Sequence, residues 1–189
     1  MRVIAGSLKG RHLKAPSWPG LRPSSDKLRE TLFNVLAPRV AGARVLDGYA
    51  GTGAIGIEAL SRGAASATFV DRDRRARALI EENLERCRVP RGCAIIRSSF
   101  DRLDLIAPFD LVLLDPPYDH QPAAVIAMIA DLVAPEGLLV IEHTKRSAAP
   151  ETAATLARTR QIASGDSMLS FYARGAAGIE DSKDASCRR

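Results

Sequence analysis

Val45-Leu46-Asp47-Gly48-Tyr49-Ala50-Gly51-Thr52-Gly53-Ala54-Ile55-Gly56 sets glycines where a short apolar run gives way to a segment of helical period. Gly51, Gly53 and Gly56 fit the spacing G-x-G-x-x-G, in which a strand turns into a helix and the backbone approaches a ligand closely. Asp71 follows about 20 residues on, at the end of the next apolar run, where a carboxylate can hold ribose hydroxyls. The pattern predicts a nucleoside-containing cofactor at the mouth of an α/β sheet. A glycine-rich turn with only a structural purpose is the alternative, and the spacing by itself does not choose among cofactors.

Outward from this loop, short apolar runs alternate with longer segments of helical period, the pattern of a doubly wound, Rossmann-like α/β domain. Strands are expected over residues 44–46, 67–70, 94–96, 111–114 and 138–141, and helices over 53–62, 74–88 and 122–133. Two β-like runs within residues 160–173 flank Ser164-Gly165-Asp166-Ser167 and predict an antiparallel hairpin closing one edge of a mostly parallel sheet. Ahead of the core, residues 2–5 and 11–13 are expected to pair as a small hairpin, followed by a capped helix over 25–37. The chain thus divides into a basic N-terminal hairpin and helix (1–43), the α/β domain (44–174) and a flexible tail (175–189) with almost nothing to bury.

Asp47 narrows the choice of ligand. A carboxylate at the mouth of the loop repels a pyrophosphate but suits an ammonium or sulfonium group, both of which S-adenosylmethionine carries. The competing reading is that Asp47 satisfies loop amides. A more specific signal lies downstream. Asp115-Pro116-Pro117-Tyr118 stands at the carboxyl end of the run Leu111-Val112-Leu113-Leu114, where open α/β sheets bind ligands. The prolines stiffen the backbone, Tyr118 offers a face on which a base can stack, and the Asp115 carboxylate and Pro116 carbonyl can accept from an exocyclic amine. Such acceptors localise a lone pair that the ring otherwise delocalises, and no metal is needed. A stiff strand-exit turn is the plain alternative.

The 189 residues, 46% hydrophobic and 26% charged, suit one folded domain. No apolar run is long enough to span a bilayer and no secretory h-region is present, so a cytoplasmic address is expected. Three cysteines without a C-x-x-C pair and three scattered histidines indicate neither a disulfide framework nor a zinc site. The net charge of +5 is uneven: residues 1–44 hold nine Lys or Arg against Asp26 and Glu30, and the remainder is slightly acidic. A basic arm of this kind is the footprint of a polyanion-binding segment, with Arg2, Lys9, Arg11 and Lys14 as phosphate contacts; a solvated charged face is the alternative.

Taken together, the chain resembles the bacterial small-subunit ribosomal RNA (guanine-N2)-methyltransferases, a family within the class I S-adenosylmethionine-dependent methyltransferases. The resemblance runs from Met1 to about Ala173 and includes Arg2-Val3-Ile4-Ala5-Gly6, Lys9-Gly10-Arg11, Arg22-Pro23-Ser24-Ser25-Asp26, Arg29-Glu30 with Phe33-Asn34, and Glu58-Ala59-Leu60-Ser61-Arg62-Gly63-Ala64. It implies that Asp47, Tyr49, Ala50, Gly51 and Gly53 line the cofactor, that Asp71 with Arg72 takes the ribose, and that Asp115, Pro116, Pro117 and Tyr118 hold the target guanine. It also implies that Arg22, Ser24 and Ser25 lie over the cofactor and that the N-terminal hairpin faces RNA. The expected partner is ribosomal RNA or the assembling small subunit, with the enzyme acting as a monomer. Two departures stand out: Arg97-Ser98-Ser99-Phe100 replaces the usual Gly-Asp that grips adenine, leaving Ser99 and Phe100 for that contact, and Ser24 replaces a usual Thr. A nicotinamide-dependent oxidoreductase fits the glycines but leaves Asp115-Pro116-Pro117-Tyr118 and the basic arm without a purpose. A DNA adenine-N6 methyltransferase and a non-catalytic RNA-binding module are the remaining alternatives.

Overall fold

The structure, a computed structural model, describes residues 1–18, 26–89, 92–103, 105 and 108–175. Its centre is an eight-stranded sheet in the order β3-β2-β1-β4-β5-β8-β7-β6. The first five strands, β1 (Arg44–Gly48), β2 (Ser66–Asp71), β3 (Cys93–Arg97), β4 (Phe109–Leu114) and β5 (Val133–Thr144), run parallel. β6 (Thr152–Ala153), β7 (Leu156–Ser164) and β8 (Ser167–Arg174) add an antiparallel edge, with β8 against β5. The expected doubly wound, mostly parallel sheet with a C-terminal hairpin is the architecture observed.

Both faces of the central strands are buried, which explains why they read as continuous apolar runs. Val45, Phe69, Leu111, Leu113 and Val140 pack on one face with Leu28, Leu32, Phe33 and Leu36 of α1 (Asp26–Val40), Ile57 of α2 (Ala54–Ser61) and Ile80 of α3 (Arg74–Arg86). Leu46, Val70, Val112, Leu114 and Ile141 pack on the other with Val125, Ile126 and Ile129 of α4 (Pro122–Ile129). The alternation within Leu111–Leu114 is the two-residue period of a strand sharing itself between two layers.

Element ends differ from the sequence expectation in three places. α4 stops at Ile129, passes through a 3₁₀ turn (Ala130–Leu132) and yields to a β5 of 12 residues. Early in β5, Val133 pairs with Phe109 but Leu138 pairs with Leu111, so residues 134–137 bulge from the ladder. Gly137 permits this because a Cβ there would lie 2.9 Å from the Phe109 carbonyl oxygen. α1 runs through Pro38 to Val40 although Pro38 has no N–H to donate to the ladder. The N-terminal hairpin is reduced to one bridge, Arg2 with His12, and its apolar residues Val3, Leu8 and Leu13 are buried in the core.

That N-terminal segment is fastened to α2 by a buried carboxylate. Glu58, fully buried, accepts from the Ile4 and Ala5 amides at 2.7 and 3.0 Å and from Arg62 Nε at 2.8 Å. Ser61 extends the seam, donating to the Ala5 carbonyl at 2.5 Å and accepting from the Leu8 amide at 2.9 Å. The approach is so close that a Cβ at Gly6 would fall 1.9 Å from the Ser61 carbonyl oxygen. Arg29, also fully buried, donates to the Arg2 carbonyl at 3.0 Å and Asp26 at 2.6 Å, joining α1 to the same seam.

Candidate active site

The glycine loop leaves β1 through three residues of positive φ: Tyr49 at 59°, Gly51 at 54° and Gly53 at 74°. Gly53 caps α2 in the left-handed region, a conformation that costs an L-residue roughly 1–2 kcal/mol. Tyr49 adopts it without being glycine. Its ring packs 4.8 Å from Phe100, and its hydroxyl lies 3.2 Å from His120 Nδ1, contacts that offset the backbone cost. At Gly56 the requirement is space: a Cβ would meet the Phe69 ring at 2.3 Å.

Three side chains hold the loop from below and beside. Asp47, 1% exposed, accepts from the Gly56 amide at 2.8 Å. Burial pushes its carboxyl well above the ordinary range against the pull of that amide, and the negative charges of Asp115 and Asp71 push it the same way. Asp71 accepts from the Gly51 amide at 2.9 Å through one oxygen and from the Asp73 amide at 2.9 Å through the other. Asn83, fully buried on α3, donates to the Thr52 carbonyl at 2.9 Å while exchanging bonds with the Lys14 backbone.

β4 lies beside β1, with Gly48 opposite Leu114, so Asp115 emerges next to the start of the glycine loop and its amide donates to the Gly48 carbonyl at 3.3 Å. Pro116 and Pro117 follow, and the His120 amide closes the turn on the Pro117 carbonyl at 2.9 Å. The Tyr118 side chain stands 50% exposed at the rim.

Between these two loops opens a cleft of about 910 Å³, ample for a ligand of cofactor size. Tyr49, Ala50, Gly51, Asp71 and Arg72 line one end, and Asp115, Pro116, Pro117 and Tyr118 line the wall beside it. Asp47 and Gly53 lie outside this lining, as supports. Ser99 and Phe100 are also outside it; Phe100 packs under Tyr49, and the Ser99 hydroxyl helps hold Asp101 below the usual carboxylate range. Arg22, Ser24 and Ser25 are outside the described residues, as is the tail beyond Gly175.

The remaining lining was not anticipated. It comes from His120, from Glu142 at the end of β5, from Lys145 and Arg146 just beyond it, and from the β7–β8 turn around Asp166. Of the basic arm, Arg2 and Lys9 are exposed. Arg11 donates to the Cys87 carbonyl and Lys14 pairs with Glu82 at 2.6 Å, so both are engaged within the chain. At the Asp71 end, Arg75 grips Asp73 and lies 5.0 Å from the Trp18 ring centre.

Comparison with known proteins accounts for this geometry. Residues 1–173 match the family described as conserved hypothetical protein 95. The Escherichia coli ribosomal RNA small subunit methyltransferase D is 35% identical over 96% of this chain and 93% of its own. The chain belongs to this family of class I S-adenosylmethionine-dependent methyltransferases. The Haemophilus influenzae ribosomal RNA small subunit methyltransferase D is 37% identical over 77% of this chain and 79% of its own. The solved structure of the Escherichia coli yhhF protein superposes with a TM-score of 0.80 at 34% identity, covering 92% of this chain and 97% of that one. In this methyltransferase, as in open α/β sheets generally, the ligand cleft lies at the carboxyl ends of adjoining strands. Among the described residues, no helix is long and apolar enough to cross a membrane.

Proposed function

We propose that the protein transfers a methyl group from S-adenosylmethionine to the exocyclic N2 amine of a guanine in small-subunit ribosomal RNA. The observation that carries this reading is that Asp115, Pro116 and Tyr118 share one continuous cleft with Gly51 and Asp71. The residues present fit the cofactor on chemical grounds. Asp47, Asp71 and Asp115 gather carboxyl groups at the β1, β2 and β4 ends; burial first, and then the charges of Asp115 and Asp71, raise the Asp47 carboxyl, and a bound cation would offset the latter. Asp71 keeps lone pairs beyond its two backbone bonds for ribose hydroxyls.

When bound, S-adenosylmethionine supplies an electrophilic methyl group. The chain's own residues prepare the acceptor. The Asp115 carboxylate and Pro116 carbonyl accept the two amine hydrogens, turning the nitrogen lone pair out of conjugation, and Tyr118 stacks on the base. As the nitrogen gains positive charge both hydrogen bonds strengthen, and the Asp115 carboxylate takes the proton that is shed. A base held this way must first leave its stack, which favours an unpaired RNA loop as substrate. Arg2 and Lys9 of the arm are exposed, as phosphate contacts would be.

The test is methyl transfer to ribosomal RNA from a strain lacking this gene, followed by nucleoside analysis. N2-methylguanosine in the small-subunit RNA is the expected product. N6-methyladenine in DNA, or RNA binding with no methyl transfer, would replace this reading.

A further inference from the structure

The cleft poses an electrostatic problem for a nucleic acid. Asp71, Asp73, Asp115, Glu142 and Asp166 line it, with Arg72, Lys145 and Arg146 as the cations of its described lining and Asp73 already paired with Arg75. Arg72 follows Asp71 directly and belongs to that end. Lys145 and Arg146 stand at the other end, beyond β5. There the parallel register sets Leu114 opposite Ile141, so Tyr118 and Lys145 are each four residues past a paired position on neighbouring strands.

These two cations are presented by a built turn. The Ser147 amide donates to the Thr144 carbonyl at 3.1 Å, and the Thr144 and Ser147 hydroxyls are joined at 2.9 Å, leaving Lys145 and Arg146 at the tip. The Lys145 amide donates to the Asp166 carbonyl at 3.4 Å, steadying the turn against the β7–β8 hairpin. Both side chains are exposed, and neither makes an ion pair or a side-chain hydrogen bond among the described residues. Arg11 and Lys14 of the N-terminal arm, by contrast, already have intramolecular partners.

We infer that Lys145 and Arg146 form a phosphate clamp that holds the RNA backbone next to the extruded nucleotide while its base lies on Asp115 and Tyr118. The inference rests on the RNA methyl-transfer reading of the cleft. Its purpose is to offset the carboxylate-rich lining, so that a polyanion can enter a site whose chemistry requires negative charge. The two cations position the substrate backbone and take no part in the proton or methyl step.

The experiment compares the parental protein, the Lys145→Ala/Arg146→Ala double variant and the charge-conserving Lys145→Arg/Arg146→Lys double variant. Small-subunit RNA from the deletion strain is the probe. Its affinity is measured across a salt series, with kcat and KM for methyl transfer and calorimetric affinity for S-adenosylmethionine. The alanine pair is expected to flatten the plot of log affinity against log salt by roughly 1.4 units, about 0.7 for each lost contact to single-stranded RNA. It should raise KM for RNA more than it lowers kcat and leave cofactor affinity unchanged, while the charge-conserving pair restores the slope. An unchanged slope in the alanine pair, with an active parent, overturns the clamp alone. A parallel loss of cofactor affinity also overturns it, by assigning the turn to the cofactor. A parental protein that transfers no methyl to this RNA overturns the functional reading and the clamp with it.

Discussion

The Tyr49 hydroxyl lies 3.2 Å from Nδ1 of His120, so the glycine loop and the turn after Pro117 are joined by a side-chain bond across 71 residues of sequence. Burial raises the Tyr49 hydroxyl to about 12, which keeps it protonated and able to donate at any physiological pH. Tyr49→Phe keeps the ring on Phe100 and removes only this link. We expect it and His120→Ala each to lower kcat/KM, with a coupling of about 0.5–1.5 kcal/mol in a double-mutant cycle. Strict additivity of the two losses in single-turnover methylation would show that the loops act independently.

Asp115→Ala is expected to cost about 3–4 kcal/mol of transition-state stabilisation, two to three decades in rate, while RNA and cofactor still bind. Asp115→Asn retains a carbonyl acceptor and should lose less. Tyr118→Ala removes a stacking face worth about 1–3 kcal/mol, and Tyr118→Phe should be mild. Single-turnover rates at saturating RNA check all four variants; a parental rate for Asp115→Ala rules out the acceptor mechanism.

Asp71→Ala should do more than weaken the cofactor. Both carboxylate oxygens hold backbone amides, those of Gly51 and Asp73, and each donor left unsatisfied costs about 1–3 kcal/mol. Calorimetry should therefore show weaker cofactor binding, and thermal unfolding a lower midpoint without any ligand. Loss of affinity with an unchanged midpoint would mean that the loop does not depend on Asp71.

Asp47 predicts a dependence of stability on pH. Its carboxyl is raised well above the ordinary 3.8, so the folded protein holds this proton more tightly than the unfolded chain. The stability this contributes is complete below the ordinary value and is lost as pH rises through the raised one. Asp47→Asn has no such loss. Its unfolding midpoint relative to the parent should climb across this window and then level off, while its cofactor affinity falls for want of a negative charge. A gap that stays constant with pH would show that Asp47 is ionised without penalty.

Glu58→Ala should be among the most destabilising single changes, by about 3–5 kcal/mol, because it strands the Ile4 and Ala5 amides and removes the carboxylate that Arg62 and buried Arg29 face. Chemical denaturation measures this directly. If the loss is under about 1 kcal/mol, the seam between the N-terminal segment and α2 is maintained by apolar packing through Val3 and Leu8.

The parts legible in the sequence were those whose chemistry is written in neighbouring residues. Gly51, Gly53 and Gly56 show their purpose by spacing, and the positive φ values and the Phe69 contact supply the physical cause. Asp115 to Tyr118 were legible because an apolar strand ends there. Asn83 and His120 were not, since their partners lie 31 and 71 residues away and nothing local marks them, and the seam that Glu58 makes with Ile4 and Ala5 lies just as far off in sequence. Lys145 and Arg146 were hidden differently: β5 was expected to end at Ile141, and the charged residues past it became part of the cleft only once β8 extended the strand to Thr144. For Asp47 the sequence allowed two roles. The Gly56 bond establishes the amide-holding one.

The pairing of β1 with β4 has a consequence for how such a protein can change its target. Gly48 and Leu114 are partners, so the glycine loop and the Asp115 turn leave neighbouring strands from one rung of the ladder, about 4.8 Å apart. On the proposed reading, the span between donor and acceptor is therefore a backbone dimension that surface side chains do not set. On that reading, turns beyond β5 and β7 can be rebuilt to admit a differently shaped RNA while the distance over which the methyl group travels stays the same.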